Sequence, residues 1–296
     1  EIRESREKRL EADAKRANQP KKEAPKKQAR TVEDAPVFVP KDLKVHIKKN
    51  YSVQHLLPYV NMRTLLGHHL GLKGNVEKLL AEKDAQAVEL YNLVMDILNS
   101  GVLKPSGMYQ FFPAQSDGDD VIIYSPDDMK TEIERFHFPR QQVEPYLCLA
   151  DYLKSVDSGE MDYVALMVVT AGHGAKEKAE RLKEEGKFLE SHALLSTALE
   201  LAEGFAERLH QEIRDVWGFP DPTDFTMKER FAAKYQGQRF SFGYPACPNL
   251  EDQEKLFKLL KPEQIGVHLT EGYMMEPEAS VSAIVFAHPS ARYFNV

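Results

Sequence analysis

Apolar residues recur at helical spacing in three parts of the chain, with charged residues between them. The longest run predicts an amphipathic helix over residues 190–217, which ends at a Gly-Phe-Pro sequence. A second run predicts a helix over residues 75–100, with Asn75 as its N-cap and Gly101 just past its end. A shorter helix is predicted over residues 251–260.

Five further segments are rich in β-branched, aromatic and other apolar residues and predict strands. One of them is almost entirely apolar, which is typical of a central strand that is covered on both faces. Strands and helices do not alternate regularly, so the pattern favours an α+β fold over a doubly wound one. The predicted strands are Tyr109–Ala114, Val121–Tyr124, Tyr163–Thr170, Ile265–Met274 and Ala279–His288.

The beginning of the chain has a different composition. Residues 1–35 contain no aromatic residue and carry 11 Lys/Arg against 8 Asp/Glu, so they cannot build a core. Residues 1–18 have Glu–Lys pairs at i,i+4 spacing and could form a solvated helix, which Pro20 would end. We therefore predict a basic, partly helical and otherwise disordered linker over residues 1–40 and a folded domain over residues 41–296.

Composition and charge exclude several classes of protein. The net charge of −7 argues against a dedicated nucleic-acid binder, and no apolar run approaches the ~20 residues that cross a membrane. The two cysteines, Cys148 and Cys247, form neither a CxxC motif nor a Cys/His array, which argues against a disulfide scaffold or a zinc site. The sequence shows no cationic segment followed by an apolar one, which is the pattern of a secretion signal. We therefore expect a cytoplasmic protein.

A glycine-containing turn, Gly172-His173-Gly174, follows the most apolar strand and precedes a helical run. It resembles the start of a dinucleotide-binding unit, in which glycines let backbone N–H groups approach a phosphate. Glu177 stands where the third glycine is expected, and its charge would repel a phosphate. An ordinary strand-to-helix turn is the stronger interpretation.

Two Glu-x-x-His spacings, Glu134…His137 and Glu207…His210, suggest a different site. On helices this spacing places both side chains on one face, as di-iron sites require. Such a site also needs glutamates from two further long helices, which the pattern does not provide. We do not expect a metal site.

The segment from Arg239 to Pro248 combines an arginine, several aromatic residues and a glycine, and its two prolines predict a loop. An arginine in such a loop suits a carboxylate or phosphate because its planar fork donates two parallel hydrogen bonds. A packed loop with a structural ion pair is an equally good interpretation of these residues alone.

The same segment, Arg-x-x-x-Gly-Tyr followed by Pro-Ala-Cys-Pro, resembles the signature of a known family. That family is the S-adenosylmethionine-binding activation domain at the C-terminus of cobalamin-dependent methionine synthase. Further motifs occur in the family's order over roughly residues 40–296. They include Phe111-Phe112-Pro113-Ala114, Gly118-Asp119-Asp120, Arg140-Gln141-Gln142, Leu201-Ala202-Glu203-Gly204-Phe205-Ala206-Glu207, Trp217-Gly218 and Tyr293-Phe294.

The resemblance implies a C-shaped α+β domain with a twisted antiparallel sheet and long flanking helices. It also implies the roles of five residues toward S-adenosylmethionine. Arg239 would hold the ligand's carboxylate and Glu203 its α-ammonium. Gly243 would let the backbone come close, Tyr244 would lie near the sulfonium, and Tyr293 would contact the nucleoside end.

Three other residues complete the implied binding site. Ser241 and Ala246 belong to the same signature segment. Asn61 aligns where the family often has an aspartate, and an amide cannot supply a charge to an ammonium or sulfonium. No catalytic acid or base is implied.

In this family, the domain reactivates cobalamin that has been oxidised to its +2 state. One-electron reduction by flavodoxin or a flavoprotein reductase is coupled to methyl transfer from S-adenosylmethionine. The chain would then be a fragment of a methyltransferase that supports methionine biosynthesis from homocysteine. An upstream domain of the same polypeptide would bind cobalamin, and we expect no complete synthase activity from this chain alone.

Two alternatives belong to other classes. A docking module for the flavoprotein partner would have lost its ligand, which Asn61 favours and Arg239 and Glu203 oppose. A dinucleotide-dependent oxidoreductase would use the turn at Gly172 and Gly174.

Overall fold

An antiparallel β-sheet forms the centre of the molecule. The computed structural model describes residue 32 and residues 34–296. Its strands are β1 (His46–Lys48), β2 (Ser106–Asp117), β3 (Asp120–Tyr124), β4 (Glu132–His137), β5 (Asp162–Thr170), β6 (Gln238–Phe240), β7 (His268–Leu269), β8 (Met275–Glu276) and β9 (Ser280–Phe286). Six strands pair in the order β4-β3-β2-β5-β9-β6, and β1 pairs with the start of β2. Strands β7 and β8 form a separate hairpin.

Helices pack against both faces of the sheet. The α-helices are α1 (Val53–Leu56), α2 (Val76–Ala81), α3 (Ala85–Asn99), α4 (Ala175–Glu184), α5 (Phe188–Trp217), α6 (Met227–Phe231) and α7 (Asp252–Leu260). A π-helix spans Thr64–His69, and 3-10 turns span Leu57–Tyr59, Leu149–Tyr152, Val156–Ser158 and Pro262–Ile265.

Strand β5 has side chains in two hydrophobic cores, one on each face of the sheet. Alternate residues from Tyr163 to Val169 pack with apolar residues of α3 and α5. The residues between them, from Val164 to Val168, pack with those of α7. Successive side chains of a strand point to opposite faces, so burial on both faces explains why this strand is apolar almost throughout.

The 30-residue helix α5 makes an unusually close contact with the chain before the π-helix. A Cβ atom at Gly204 would lie 3.0 Å from the carbonyl oxygen of Tyr59 and 3.3 Å from the amide nitrogen of Val60. Only a residue without a side chain fits between the two backbones. Gly204 therefore determines how closely this segment approaches α5.

The predicted α+β class, with an antiparallel sheet and long flanking helices, is confirmed. The predicted helix over residues 75–100 is two helices, α2 and α3. Lys83 adopts a positive φ of 58° between them, and the side chain of Asp84 caps the second helix by accepting from the amide of Ala87. Asn75 caps α2 as predicted, by accepting from the amide of Lys78.

The predicted strand over residues 265–274 is wrong for most of its length. A 3-10 turn occupies Pro262–Ile265, and Gly266 has a φ of 73°. Only β7 is extended, and a tight turn follows in which the amide of Tyr273 donates to the carbonyl of Thr270 at 2.9 Å.

The described residues, 32 and 34–296, form one compact unit. The predicted linker helix over residues 1–18 lies outside the described residues, and the domain boundary near residue 40 stays a prediction. Among the described helices, none combines the length and the apolar character that a membrane span requires.

Candidate functional site

A cleft of about 370 Å³ lies where α5, the chain after β6 and the C-terminal residues meet. Val281 of β9 also lines it, so four parts of the chain that are far apart in sequence form its walls. The lining residues are Glu203, Arg239, Phe240, Ser241, Tyr244, Pro245, Ala246, Cys247, Val281, Tyr293, Phe294 and Asn295.

Buried side chains that do not line the cleft contact Arg239. It lies on β6, where it pairs with Val285 of β9, so the prediction of a loop at this position is wrong. Its Nη1 atom donates to Glu207 Oε2 at 2.8 Å and lies 3.2 Å from both His210 Nδ1 and the Tyr235 hydroxyl oxygen. Its Nε and Nη2 atoms have no hydrogen-bond partner among the described residues, and they remain available to a ligand.

The side chains that contact Arg239 have protonation states that suit these hydrogen bonds. Burial, reinforced by the charges of Arg214 and Arg239, holds the pKa of His210 well below its ordinary value of 6.5. Burial raises the pKa of Tyr235 to about 12. Burial opposes the charge on Arg239, yet the Glu207 carboxylate holds the pKa of this guanidinium above its ordinary value. The arginine is thus charged and the histidine neutral.

Glu203 lies one helical turn before Glu207 on α5 and lines the cleft. Its carboxylate forms no hydrogen bond or ion pair within the part of the chain that the structure describes. Although the residue is exposed to the cleft, the surrounding protein atoms displace water and raise its pKa, and the Glu207 charge adds to this effect while Arg239 opposes it. An acceptor with a raised pKa and no partner suits a cationic ligand group.

A tight turn after β6 shapes another wall of the cleft. Gly243 has a φ of 86°, and its amide donates to the carbonyl of Cys247, whose own amide donates to the carbonyl of Tyr244 at 2.9 Å. The Cys247 thiol donates to the carbonyl of Ser241, and burial raises the pKa of this thiol to about 12. Cys247 therefore acts as a structural hydrogen-bond donor and not as a nucleophile.

Two tyrosines stand at the edge of the cleft. Tyr244 is 65% exposed, and Tyr293 is 58% exposed. The Tyr293 hydroxyl donates to the backbone carbonyl of Arg239 at 2.8 Å, and its ring contacts Phe240 edge to face at 5.3 Å. One tyrosine is thus fixed to β6, whereas the ring of the other is largely open to solvent.

The structure brings six of the eight predicted site residues to the cleft wall: Glu203, Arg239, Ser241, Tyr244, Ala246 and Tyr293. Gly243 is not a lining residue but allows the turn between them. Asn61 does not line the cleft. Its side chain accepts from the amide of Thr64 at 3.1 Å, at the beginning of the π-helix.

Three further residues that contact Arg239 were not predicted from the sequence: Glu207, His210 and Tyr235. The available signal was the spacing of Glu203, Glu207 and His210, which places three polar side chains on one face of an otherwise apolar helix. Glu207 and His210 therefore contact Arg239 from one helix, as their Glu-x-x-His spacing allows. The other pair, Glu134 and His137, lies on strand β4, where this spacing puts the side chains on opposite faces.

The turn at Gly172 and Gly174 joins β5 to α4. Strand β5 is antiparallel to both of its neighbours, β2 and β9, whereas a dinucleotide-binding unit requires parallel strands. A Cβ atom at Gly172 would lie 2.6 Å from the Pro277 ring, so close packing explains this glycine. The dinucleotide interpretation of the turn is therefore not supported.

A charged fork, a carboxylate without a partner among the described residues and two aromatic rings line one cleft, an arrangement that suits a small ligand carrying both charges. The chain belongs to the vitamin B12-dependent methionine synthase activation-domain family, whose profile matches residues 52–296. It is 37% identical over 202 residues to a methionine synthase of Mycobacterium tuberculosis and 35% identical over 202 residues to that of Mycobacterium leprae. Each alignment covers 64% of this chain and 17% of the relative.

A solved structure agrees with this assignment. The crystal structure of the MetH reactivation domain bound to AdoHcy superposes with a TM-score of 0.81 at 31% sequence identity. The match covers 88% of this chain and 83% of that one. The resemblance that the sequence motifs indicated is confirmed at the level of family and fold.

Proposed function

We propose that this chain binds S-adenosylmethionine in the cleft and presents its methyl group to cobalamin held by an upstream domain of the same polypeptide. The observation that carries the proposal is the pair of free charged groups on one cleft. Among the described residues, two nitrogens of Arg239 and the carboxylate of Glu203 have no hydrogen-bond partner. The amino-acid end of S-adenosylmethionine offers a carboxylate and an ammonium, which complement these two groups.

The size and polarity of the cleft support this ligand. A volume of about 370 Å³ lies within the range of small-molecule sites. The remaining walls are mainly aromatic and apolar, as the adenosine portion requires. The related MetH domain binds AdoHcy, which is S-adenosylmethionine without its transferable methyl group.

The residues of this chain bind and orient the donor, and they do not exchange protons with it. Arg239 and Glu203 fix the amino-acid end, and Tyr244 offers an aromatic face to the sulfonium. Cobalamin on the upstream domain, reduced by one electron from flavodoxin or a flavoprotein reductase, would supply the nucleophile that takes the methyl group, and the sulfur of the donor would keep the electron pair of the broken bond. The contribution of the chain is therefore alignment of donor and acceptor. As a domain of methionine synthase, it would maintain the activity that makes methionine from homocysteine.

Calorimetric titration of S-adenosylmethionine into the parent chain and its Arg239→Ala variant tests the proposal. We expect saturable binding by the parent, weakened in the variant by roughly 1.5–3 kcal/mol, as for a lost charged hydrogen bond. Arg181→Ala, at an exposed position on α4, is the matched control and should bind as the parent does. Near-UV circular dichroism checks that each variant is folded.

The other outcomes are equally informative. Equal binding by the parent and Arg239→Ala would remove Arg239 from the site but keep the ligand. Absence of binding by a folded parent would contradict the proposal and favour the docking module for a flavoprotein.

A further inference from the structure

We infer that Glu207, His210 and Tyr235 are positioning residues of the ligand site, which hold Arg239 by one nitrogen so that its other nitrogens face a ligand carboxylate. This inference rests on the proposed function. It assigns a role to three side chains that touch Arg239 and do not line the cleft.

All three side chains are buried. Glu207 is 6% exposed, His210 is fully buried and Tyr235 is 8% exposed. Each contact ends on the same atom, Arg239 Nη1, at 2.8–3.2 Å. The Tyr235 hydroxyl also donates to Glu207 Oε2 at 3.3 Å, so two of the three positioning residues are hydrogen-bonded to each other. One end of the guanidinium is thus enclosed by the protein.

The hydrogen-bonding capacity of these groups leaves little freedom. Arginine has donors only, so His210 Nδ1 must present a lone pair and carry its ring proton on Nε2. Glu207 supplies the charge, and the Tyr235 oxygen accepts from Arg239 while its proton goes to the carboxylate. Nη1 carries two N–H groups, so these three acceptors share them, and each acceptor has one arrangement that fits.

The geometry of the guanidinium gives this contact its function. Nε and Nη2 form one edge of the planar group, and this edge donates two parallel hydrogen bonds to a carboxylate. Fixing the opposite nitrogen prevents the plane from turning, so less freedom is lost when the ligand binds. Arg239 lines the cleft, and its Nε and Nη2 have no partner among the described residues.

Tyr235 makes further contacts that fix its position. The Arg214 guanidinium lies 3.8 Å from the centroid of the Tyr235 ring. Arg214 in turn donates two hydrogen bonds to Asp221, from Nε at 2.9 Å and from Nη2 at 2.8 Å. The Tyr235 ring also meets the His210 ring edge to face at 5.0 Å. The cluster is therefore a rigid support and not an isolated pair of contacts.

The test compares two ligands that differ in one group, S-adenosylmethionine and its decarboxylated form. Calorimetry gives the affinity of each for the parent chain and for Tyr235→Phe, His210→Leu and His210→Asn. We expect Tyr235→Phe and His210→Leu to weaken S-adenosylmethionine binding roughly 3- to 20-fold, as for one lost hydrogen bond. Binding of the decarboxylated ligand should change less than about twofold, because it does not use Arg239.

Further variants test whether the effect depends on an acceptor at position 210 and on Arg239. His210→Asn should regain most of the affinity, because its amide oxygen can accept near the position of Nδ1. Tyr235→Phe should have no further effect once Arg239→Ala is present. Tyr124→Phe removes a hydroxyl that donates to Gln115 outside this cluster and should bind both ligands as the parent does.

The failures of the two proposals are distinguishable. Equal weakening of both ligands, or no weakening of either, would overturn the positioning role and leave the proposed function intact. A folded parent that binds neither ligand would overturn the proposed function and this inference with it. Tyr235→Phe removes a single oxygen, so it tests the inference even where a change at His210 prevents folding.

Discussion

Glu203 and Arg239 differ in how the protein prepares them for a ligand. Arg239 is held by buried partners, whereas the Glu203 carboxylate has no partner within the described chain. Burial raises its pKa, so the surroundings disfavour the ionised form in the absence of a cation. A bound ammonium would supply this stabilisation, so at the proposed site ligand binding and ionisation of Glu203 would be coupled.

Binding of S-adenosylmethionine should therefore weaken as the pH falls. The pKa of Glu203 lies above the ordinary 4.5, so protonation removes the attractive charge at a higher pH than for an exposed glutamate. The ammonium of the ligand stays charged over this acidic range. Calorimetric titrations from neutral to acidic pH should show affinity present above the raised pKa and lost below it.

Glu203→Gln isolates this contribution. The variant should bind roughly 1.5–3 kcal/mol more weakly at neutral pH and should lack this step in the pH profile. Glu184→Gln, at an exposed position on α4, should keep the parent profile. A Glu203→Gln variant with the parent's pH dependence would assign the step to another group.

Only part of this site was predictable from residues alone. The Arg239 segment indicated a carboxylate or phosphate site, but an ordinary ion pair explained it equally well. The family resemblance supplied Glu203 and Tyr293, which are 36 and 54 positions away from Arg239 in the sequence. Contacts over such separations depend on the fold, and no local pattern encodes them.

At the level of elements, strong periodicity predicted the long helix and the central strands well. Strand β6 was missed because its three residues are too few to show alternation. Strand β4 was missed because it forms one end of the main sheet and carries charged residues, which protect sheet edges from pairing with other chains. These two strands lie at the ends of the sheet order, where burial leaves the weakest pattern.

The close approach at Gly204 makes a prediction about α5. In Gly204→Ala the new methyl group would meet the backbone of Tyr59 at 3.0 Å, and backbone cannot move aside as a side chain can. We expect a loss of roughly 1–3 kcal/mol in the free energy of unfolding, as for other overpacked sites. Urea unfolding followed by circular dichroism measures this loss.

Gly67→Ala is the matched control. Gly67 lies in the π-helix, and its added Cβ would lie 3.5 Å from Val76 Cγ2, an ordinary contact. We expect its unfolding free energy to stay within about 1 kcal/mol of the parent value. Equal effects of the two substitutions would show that the close approach at Gly204 does not limit the packing of α5.

The whole molecule places its ligand cleft at one end of the sheet order. Strand β6 is the last strand there, and α5 and the C-terminal residues complete the walls. The two hydrophobic cores hold α5 and the central strands in place from opposite faces. The cleft is therefore built on rigid elements, although much of its surface comes from irregular chain.

The two chain ends should contribute unequally to binding. Residues 1–31 contain no aromatic residue and few large apolar ones, so their removal should leave the unfolding midpoint unchanged and the affinity for S-adenosylmethionine within about twofold. Removal of residues 293–296 takes away Tyr293, its hydrogen bond to Arg239 and the adjoining cleft wall. This shorter truncation should weaken binding by at least about tenfold, since it removes both a hydrogen bond and apolar contacts.

Calorimetry and thermal unfolding of both truncated chains measure the difference. A large loss on removing residues 1–31 would show that the predicted linker takes part in the ligand site, and the domain boundary would then move toward the start of the chain.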